Sequence, residues 1–121
     1  MLGDMIRSPQ RCGLVLVTIS EAMSVLETMR TIEFLTSQDI PVAAVMVNML
    51  QPEQPDCDFC TRRRQAQSVQ IEKMRLPDPT IPIIAIEHAY DEPRGCGLLG
   101  ELAPKIWSDY ETVLIGPALD I

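Results

Sequence analysis

The spacing of hydrophobic and polar positions changes period several times along the chain, and each change marks an element. Leu14-Val15-Leu16-Val17-Thr18-Ile19 is an unbroken run rich in β-branched residues, the pattern of a strand buried on both faces. Directly after it, Ala22, Val25, Leu26, Met29, Ile32 and Leu35 recur at three- and four-residue spacing, which puts them on one helix face. Ser20 stands where it can cap that helix. Glu21 falls in the first turn, where the helix dipole favours a carboxylate. The helix ends near Gln38, before Ile40-Pro41, and Val42 to Val47 reads as a second buried strand. Strand, helix, strand is a βαβ unit, whose crossover is almost always right-handed.

Beyond Val47 the pattern weakens. Gln51 to Pro55 reads as a loop because of Pro52 and Pro55. Arg62 to Arg75 reads as a polar helix with Ala66, Val69 and Met74 as a thin inward face, stopped by Leu76-Pro77-Asp78-Pro79. Ile81 to Ile86 reads as a third strand and Glu87 to Gly97 as a loop. Leu99, Leu102 and Ile106 then mark a short amphipathic helix, which Pro104 is expected to break. Val113 to Ile121 is open between a last short strand and disorder.

The fold expected from these elements is α/β: a mostly parallel sheet of three or four strands with few helices. Parallel sheets need both faces covered, so the sandwich is incomplete. The chain therefore reads as the C-terminal half of a larger α/β domain, or a truncated version of one. Met1 to Arg7 would then be the end of an earlier helix.

Composition narrows the class. A chain of 121 residues is long enough to bury a real core, and with only 4% aromatic residues that core must be mainly Leu, Ile, Val and Met. Seven methionines are present, several of them on the core face or within a strand, where they fill gaps. The net charge of -7 argues against nucleic acid as a partner, since non-specific binding draws on excess Lys and Arg. Nothing at the start resembles a signal peptide, and no apolar run approaches the ~20 residues of a membrane helix. The expectation is a soluble cytoplasmic protein, in whose reducing surroundings a Cys-x-x-Cys points to metal binding or redox chemistry.

That pair is Cys57-Asp58-Phe59-Cys60, followed by Thr61-Arg62-Arg63-Arg64. Two thiolates three positions apart supply two corners of a zinc tetrahedron, and the chain has no second pair. Half a site suggests that a second copy completes it. Three uses stay open: zinc shared between two chains, redox switching, and two free surface cysteines. The neighbouring arginines favour thiolates, which suits the first two. They can also pair with Asp56 and Asp58, although a solvated helix start is the plainer reading. Cys12 and Cys96 read as small core residues, and His88 stands alone.

Asn48 ends the second strand, and the carboxyl ends of parallel strands are where α/β folds bind ligands. Its amide suits a nucleobase edge, but from spacing alone an Asn bonded to the following turn is the stronger reading. Glu21 lies on the same rim and reads as a favourable helix start. No G-x-x-x-x-G-K-[ST] is present to cradle phosphates, and no nucleophile–base arrangement stands out.

Taken in order, Val17-Thr18-Ile19-Ser20-Glu21-Ala22-Met23-Ser24-Val25-Leu26-Glu27-Thr28, Val47-Asn48, Cys57-x-x-Cys60 with Arg62-Arg63, and Pro93-Arg94-Gly95 resemble the C-terminal part of the ArsA/Get-type ATPases. These are the arsenical pump-driving and tail-anchored-protein targeting ATPases of the deviant Walker P-loop group. The likeness runs from about Gly13 to Ile106. It implies a partial P-loop NTPase-like fold lacking the P-loop half, so that the chain alone does not hydrolyse ATP. It also implies that Asn48 recognises adenine and that Glu21 approaches nucleotide at a dimer interface. Glu87, His88 and Ala89 would line the adenine pocket, and Cys57 and Cys60 would share zinc in a homodimer. In the complete protein, Mg and ATP would then drive arsenite efflux through a membrane pump subunit, or shelter a tail-anchored client. The family usually has Pro where this chain has Ser20, and Pro-Leu where it has Glu87-His88. Two other classes are weighed beside this one: a free-standing zinc-linked dimerisation module, and a thiol-switched chaperone without ATPase activity.

Overall fold

A computed structural model describes the backbone of residues 1–74, 76–89 and 91–114, and side chains only as far as residue 106. The elements are α1 (Leu2–Arg7), β1 (Leu14–Ile19), α2 (Ala22–Ser37), β2 (Val42–Leu50), α3 (Asp58–Lys73), β3 (Ile83–Glu87) and α4 (Gly95–Leu114). The three strands form one parallel sheet in the order β1-β2-β3. The fold is α/β, with a three-stranded parallel sheet flanked by helices.

Side chains alternate along a strand, and the register sorts them onto two faces. Thr18, Val47 and Ala85 lie level on one face, and Val17, Met46 and Ile84 on the other. The first face carries the core. Val25 and Ile32 of α2 pack with Val45, Val47 and Met74, and Leu16, Met29, Ile71, Leu76 and Ile81 close around them. Full burial of such side chains stabilises the fold by about 1.5–3 kcal/mol each. The second face is only partly covered. Leu102 and Ile106 of α4 lie near Val17 and Ile86, yet Val17 remains 65% exposed. This is the incomplete sandwich expected from the few helices.

Several boundaries differ from the sequence reading, each for a physical reason. Glu21, not Ser20, is the N-cap of α2, and Glu21 makes no side-chain cap bond. Ser20 is buried and donates instead to the backbone carbonyl of Gln67, 2.5 Å away. The Ala22 end of the helix stripe is exposed, while Val25, Thr28, Ile32 and Leu35 are buried. Thr28 fits there because its hydroxyl bonds back to the carbonyl of Ser24 at 2.7 Å.

The third helix begins at Asp58 rather than Arg62, with Cys57 as its N-cap. Its inward residues are not Ala66 and Val69, which are exposed, but Arg64, Gln67, Ile71 and Met74. α4 runs unbroken through Pro104. Proline removes one hydrogen bond, to the carbonyl of Gly100, and both residues are exposed, so water can satisfy that carbonyl. Val113 and Leu114 belong to this helix; the rest of the C-terminal stretch lies outside the described residues. Cys96 is exposed and Cys12 half-buried, so Cys96 is not a core residue.

Just before β3, the Asp78 carboxylate accepts from the Thr80 hydroxyl at 2.6 Å and the Thr80 N–H at 2.8 Å. Both bonds favour the charged form and hold this carboxyl below the ordinary value of 3.8. The turn's stabilisation is therefore complete above the ordinary aspartate range and is lost as pH falls through the lowered value. An NMR pH titration should show Asp78 as a low-titrating aspartate, and Thr80→Val should raise it towards normal.

Candidate functional site

The carboxyl ends of β2 and β3 build the site. Along these strands Val47 faces Ala85 and Leu50 faces Glu87, so Asn48 and Met49 together oppose Ile86. That is a β-bulge, one extra residue that bends a strand and re-aims its side chains. Met49 supplies the bend with φ of 59°, a left-handed conformation costing a residue of this type about 1–3 kcal/mol. The Asn48 side-chain oxygen accepts from the Met49 N–H at 2.9 Å, which supports the bend locally. The backbone bond expected from spacing is therefore present. It leaves the Asn48 amide NH₂ as a donor and its oxygen with a second acceptor site.

Asn48 and Met49 form one wall of a cleft of about 420 Å³, with Glu87, His88 and Ala89 on the other. Val17 and Ile86 of the sheet, and Leu102 and Ile106 of α4, supply apolar surface. The size and the mix of an apolar lining with few polar groups suit a small planar ligand. Asp91 and Glu92 also line it, with no Lys or Arg among the described lining residues. Two of its three carboxylates are paired with arginines outside the lining, Glu87 with Arg64 and Glu92 with Arg94. His88 donates its backbone N–H to the carbonyl of Leu50 at 2.8 Å, which ties the two walls together.

Four of the sequence-derived site residues (Asn48, Glu87, His88 and Ala89) thus meet in one place. Glu21 does not join them. It lies in a separate groove between the start of α2 and α3, with Phe59, Arg62, Arg63 and Gln67. Cys57 and Cys60 are elsewhere again, at the start of α3, where they are paired as a disulfide. Their Cα atoms are 5.2 Å apart, and the Cys60 N–H donates to the Cys57 sulfur at 3.2 Å. When reduced, two thiolates here benefit from the helix N-terminus, which suits either metal binding or redox chemistry. No group of three or more His, Cys, Asp or Glu able to hold a metal occurs among the described residues. Two thiolates are half of a tetrahedral zinc ligand set.

Beside this site stand Gln67, absent from the sequence reading, and Arg64, which enters it only as one of the arginines after the cysteine pair. Gln67 is buried, accepts the Gln51 N–H at 2.7 Å and donates to the Met49 carbonyl at 3.1 Å. Arg64 donates to the Gln51 carbonyl at 2.7 Å and to Glu87 at 2.9 Å, with Glu53 at 3.7 Å. The arginines do not pair with Asp56 or Asp58 in any ion pair of the described residues, and Arg62 and Arg63 are exposed. The signal was helical phase: stepping back from Met74 by three, then four, then three residues reaches Ile71, Gln67 and Arg64 in turn.

Comparison with known proteins identifies the family. The family described as anion-transporting ATPase matches residues 1–108. The ATPase GET3B of Arabidopsis thaliana is 32% identical over 107 residues, covering 86% of this chain and 26% of the relative. The ATPase GET3 of Mycosarcoma maydis is 30% identical over 107 residues, covering 86% and 32%. An ATPase ASNA1 homolog of Leishmania braziliensis is 29% identical over 110 residues, covering 88% and 27%. The chain thus spans about a quarter to a third of the length of these relatives. Among the described residues no helix is long and apolar enough to cross a membrane. The chain belongs to the anion-transporting ATPase family.

Proposed function

We propose that this chain supplies the adenine side of an ATPase nucleotide site and a two-cysteine dimer contact. The observation that supports the first part is the meeting of Asn48, Glu87, His88 and Ala89 in one cleft at the strand ends. The Asn48 amide donates to a ring nitrogen while its free acceptor site takes the exocyclic amine, a bidentate match to adenine. Guanine offers an acceptor where adenine offers a donor, so it is discriminated against by about 1–3 kcal/mol. Val17 and Ile86 give the base apolar contact. Glu21, in its own groove, acts towards nucleotide from across a dimer interface.

Phosphate binding, Mg and hydrolysis belong to a P-loop half that residues 1–121 do not contain, and the chain is read as a single C-terminal segment. In the complete cytoplasmic protein, hydrolysis drives arsenite efflux through a membrane pump subunit or shelters a tail-anchored client. Cys57 and Cys60 hold zinc together with the same pair of a second copy, in a homodimer without nucleic-acid partners. A free-standing dimerisation module would use the same pair without nucleotide.

A second reading, a thiol-switched chaperone, is favoured by the pairing of Cys57 with Cys60 as a disulfide at a helix start.

The test of the adenine reading is calorimetric titration with nucleosides, which need no phosphate site. The chain should bind adenosine about tenfold more tightly than guanosine, and Asn48→Ala should remove most of that preference. Equal binding of both nucleosides, or an Asn48→Ala variant that discriminates as well as wild type, would sink it.

A further inference from the structure

We propose that Arg64 and Gln67 of α3 are positioning residues that hold the two strand ends beside the cleft and thereby set its base preference. The inference rests on the adenine reading above and assigns the residues on which its selectivity depends. Neither residue lines the cleft.

The geometry is that of a two-point grip. Gln51 follows the bulge, and both of its backbone groups are taken by α3. Its N–H goes to the Gln67 side chain at 2.7 Å, and its carbonyl to Arg64 at 2.7 Å. The other end of the Gln67 amide donates to the carbonyl of Met49, the residue at φ 59°. Gln67 therefore grips the backbone on either side of Leu50, at the C-terminal end of the bulge, and so holds the bend from which Asn48 leaves the strand. Arg64 spans the opposite wall by its 2.9 Å bond to Glu87.

Each residue is itself held. Gln67 is only 8% exposed, and its own carbonyl accepts the Ser20 hydroxyl. The Arg64 side chain is 27% exposed, against 51% for Glu87, so the guanidinium is the more anchored partner. A buried amide with both ends bonded to backbone has one orientation, and a left-handed Met persists only where its surroundings impose it. A packing role alone would be met by any apolar residue of similar size. The bonds to Met49 and Gln51 would not, and their loss frees the bulge to relax and turn Asn48 away from the base.

The experiment uses the full chain, isotope-labelled, with adenosine and guanosine as probes, and two variants. Gln67→Leu removes both bonds. Gln67→Met, of similar length, also removes both bonds, and it carries the test if Gln67→Leu does not fold. The expected result is hydrogen exchange at the Gln51 amide at least tenfold faster, with exchange at Val45 and Val47 little changed. The adenosine-over-guanosine ratio should fall about tenfold. Unchanged exchange at Gln51 overturns the proposal. Faster exchange with unchanged selectivity overturns it as well, leaving a purely structural role. If wild type binds neither nucleoside, the adenine reading fails. Exchange at Gln51 then decides alone whether α3 positions the strand ends.

Discussion

Replacing Ile32 by Ala should lower the stability of the chain by about 2–5 kcal/mol, the largest loss expected from any single truncation. Ile32 is fully buried in the middle of α2, against Val45 and Val47, which are also fully buried. Those strand residues cannot move inwards without breaking the ladder on both sides, so the cavity will not collapse and the upper part of the range applies. Domains of this kind carry about 5–15 kcal/mol in total. A sheet with Val17 and Val15 exposed on its second face belongs near the bottom. Urea denaturation should therefore show a midpoint falling sharply at constant slope. Phe34→Ala, on the same helix but 62% exposed, should change stability by no more than about 0.5 kcal/mol. A loss below about 1 kcal/mol for Ile32→Ala would place the core elsewhere.

Substituting both Cys57 and Cys60 with Ser should convert a zinc-carrying dimer into a metal-free monomer. A structural zinc held by four thiolates contributes about 10–16 kcal/mol at neutral pH, and hydroxyls do not replace sulfur. Native mass spectrometry of reduced wild type should show two chains with one zinc, and the double variant one chain with none. A wild-type dimer that persists without zinc would contradict the shared site. The disulfide between Cys57 and Cys60 is the alternative state of the same sulfurs, since oxidised cysteines cannot act as thiolate ligands. Under the chaperone reading, oxidant releases metal and increases the chain's ability to prevent aggregation of an unfolded client. An oxidant-treated chain with no such activity would remove that reading while leaving the zinc reading intact.

What was legible in the chain follows from how local its cause is. β1 was read to the residue because an unbroken β-branched run has little alternative. β2 was read three residues too short, since its end is shaped by a bulge whose left-handed residue is Met49. A Gly there would have announced the bend; a Met gives no sign. The start of α3 was missed because sulfur is an unusual N-cap, and Cys57 therefore read as loop.

The contacts of Gln67 and Arg64 with the strand ends are hidden in the sequence for a related reason. An inward stripe is sought among apolar residues, and here its first two members are polar because they serve backbone groups across a gap. The grouping of Asn48 with Glu87, His88 and Ala89 was legible only through likeness to a family, and not from the spacing of these residues along the chain. Asn48 and His88 are brought together by the parallel register of β2 and β3, a property of topology and not of spacing. Pro104 misled in the opposite direction, since the rule that it breaks helices weakens where water can satisfy the lost bond.

The most direct test of the central claim is a map of intermolecular nuclear Overhauser contacts between adenosine and the labelled chain. The account predicts contacts from the adenine ring protons to the Asn48 side-chain amide and to the methyls of Ala89, Val17 and Ile86. Contacts confined to the groove between α2 and α3, or ribose contacts without base contacts at Asn48, would contradict it.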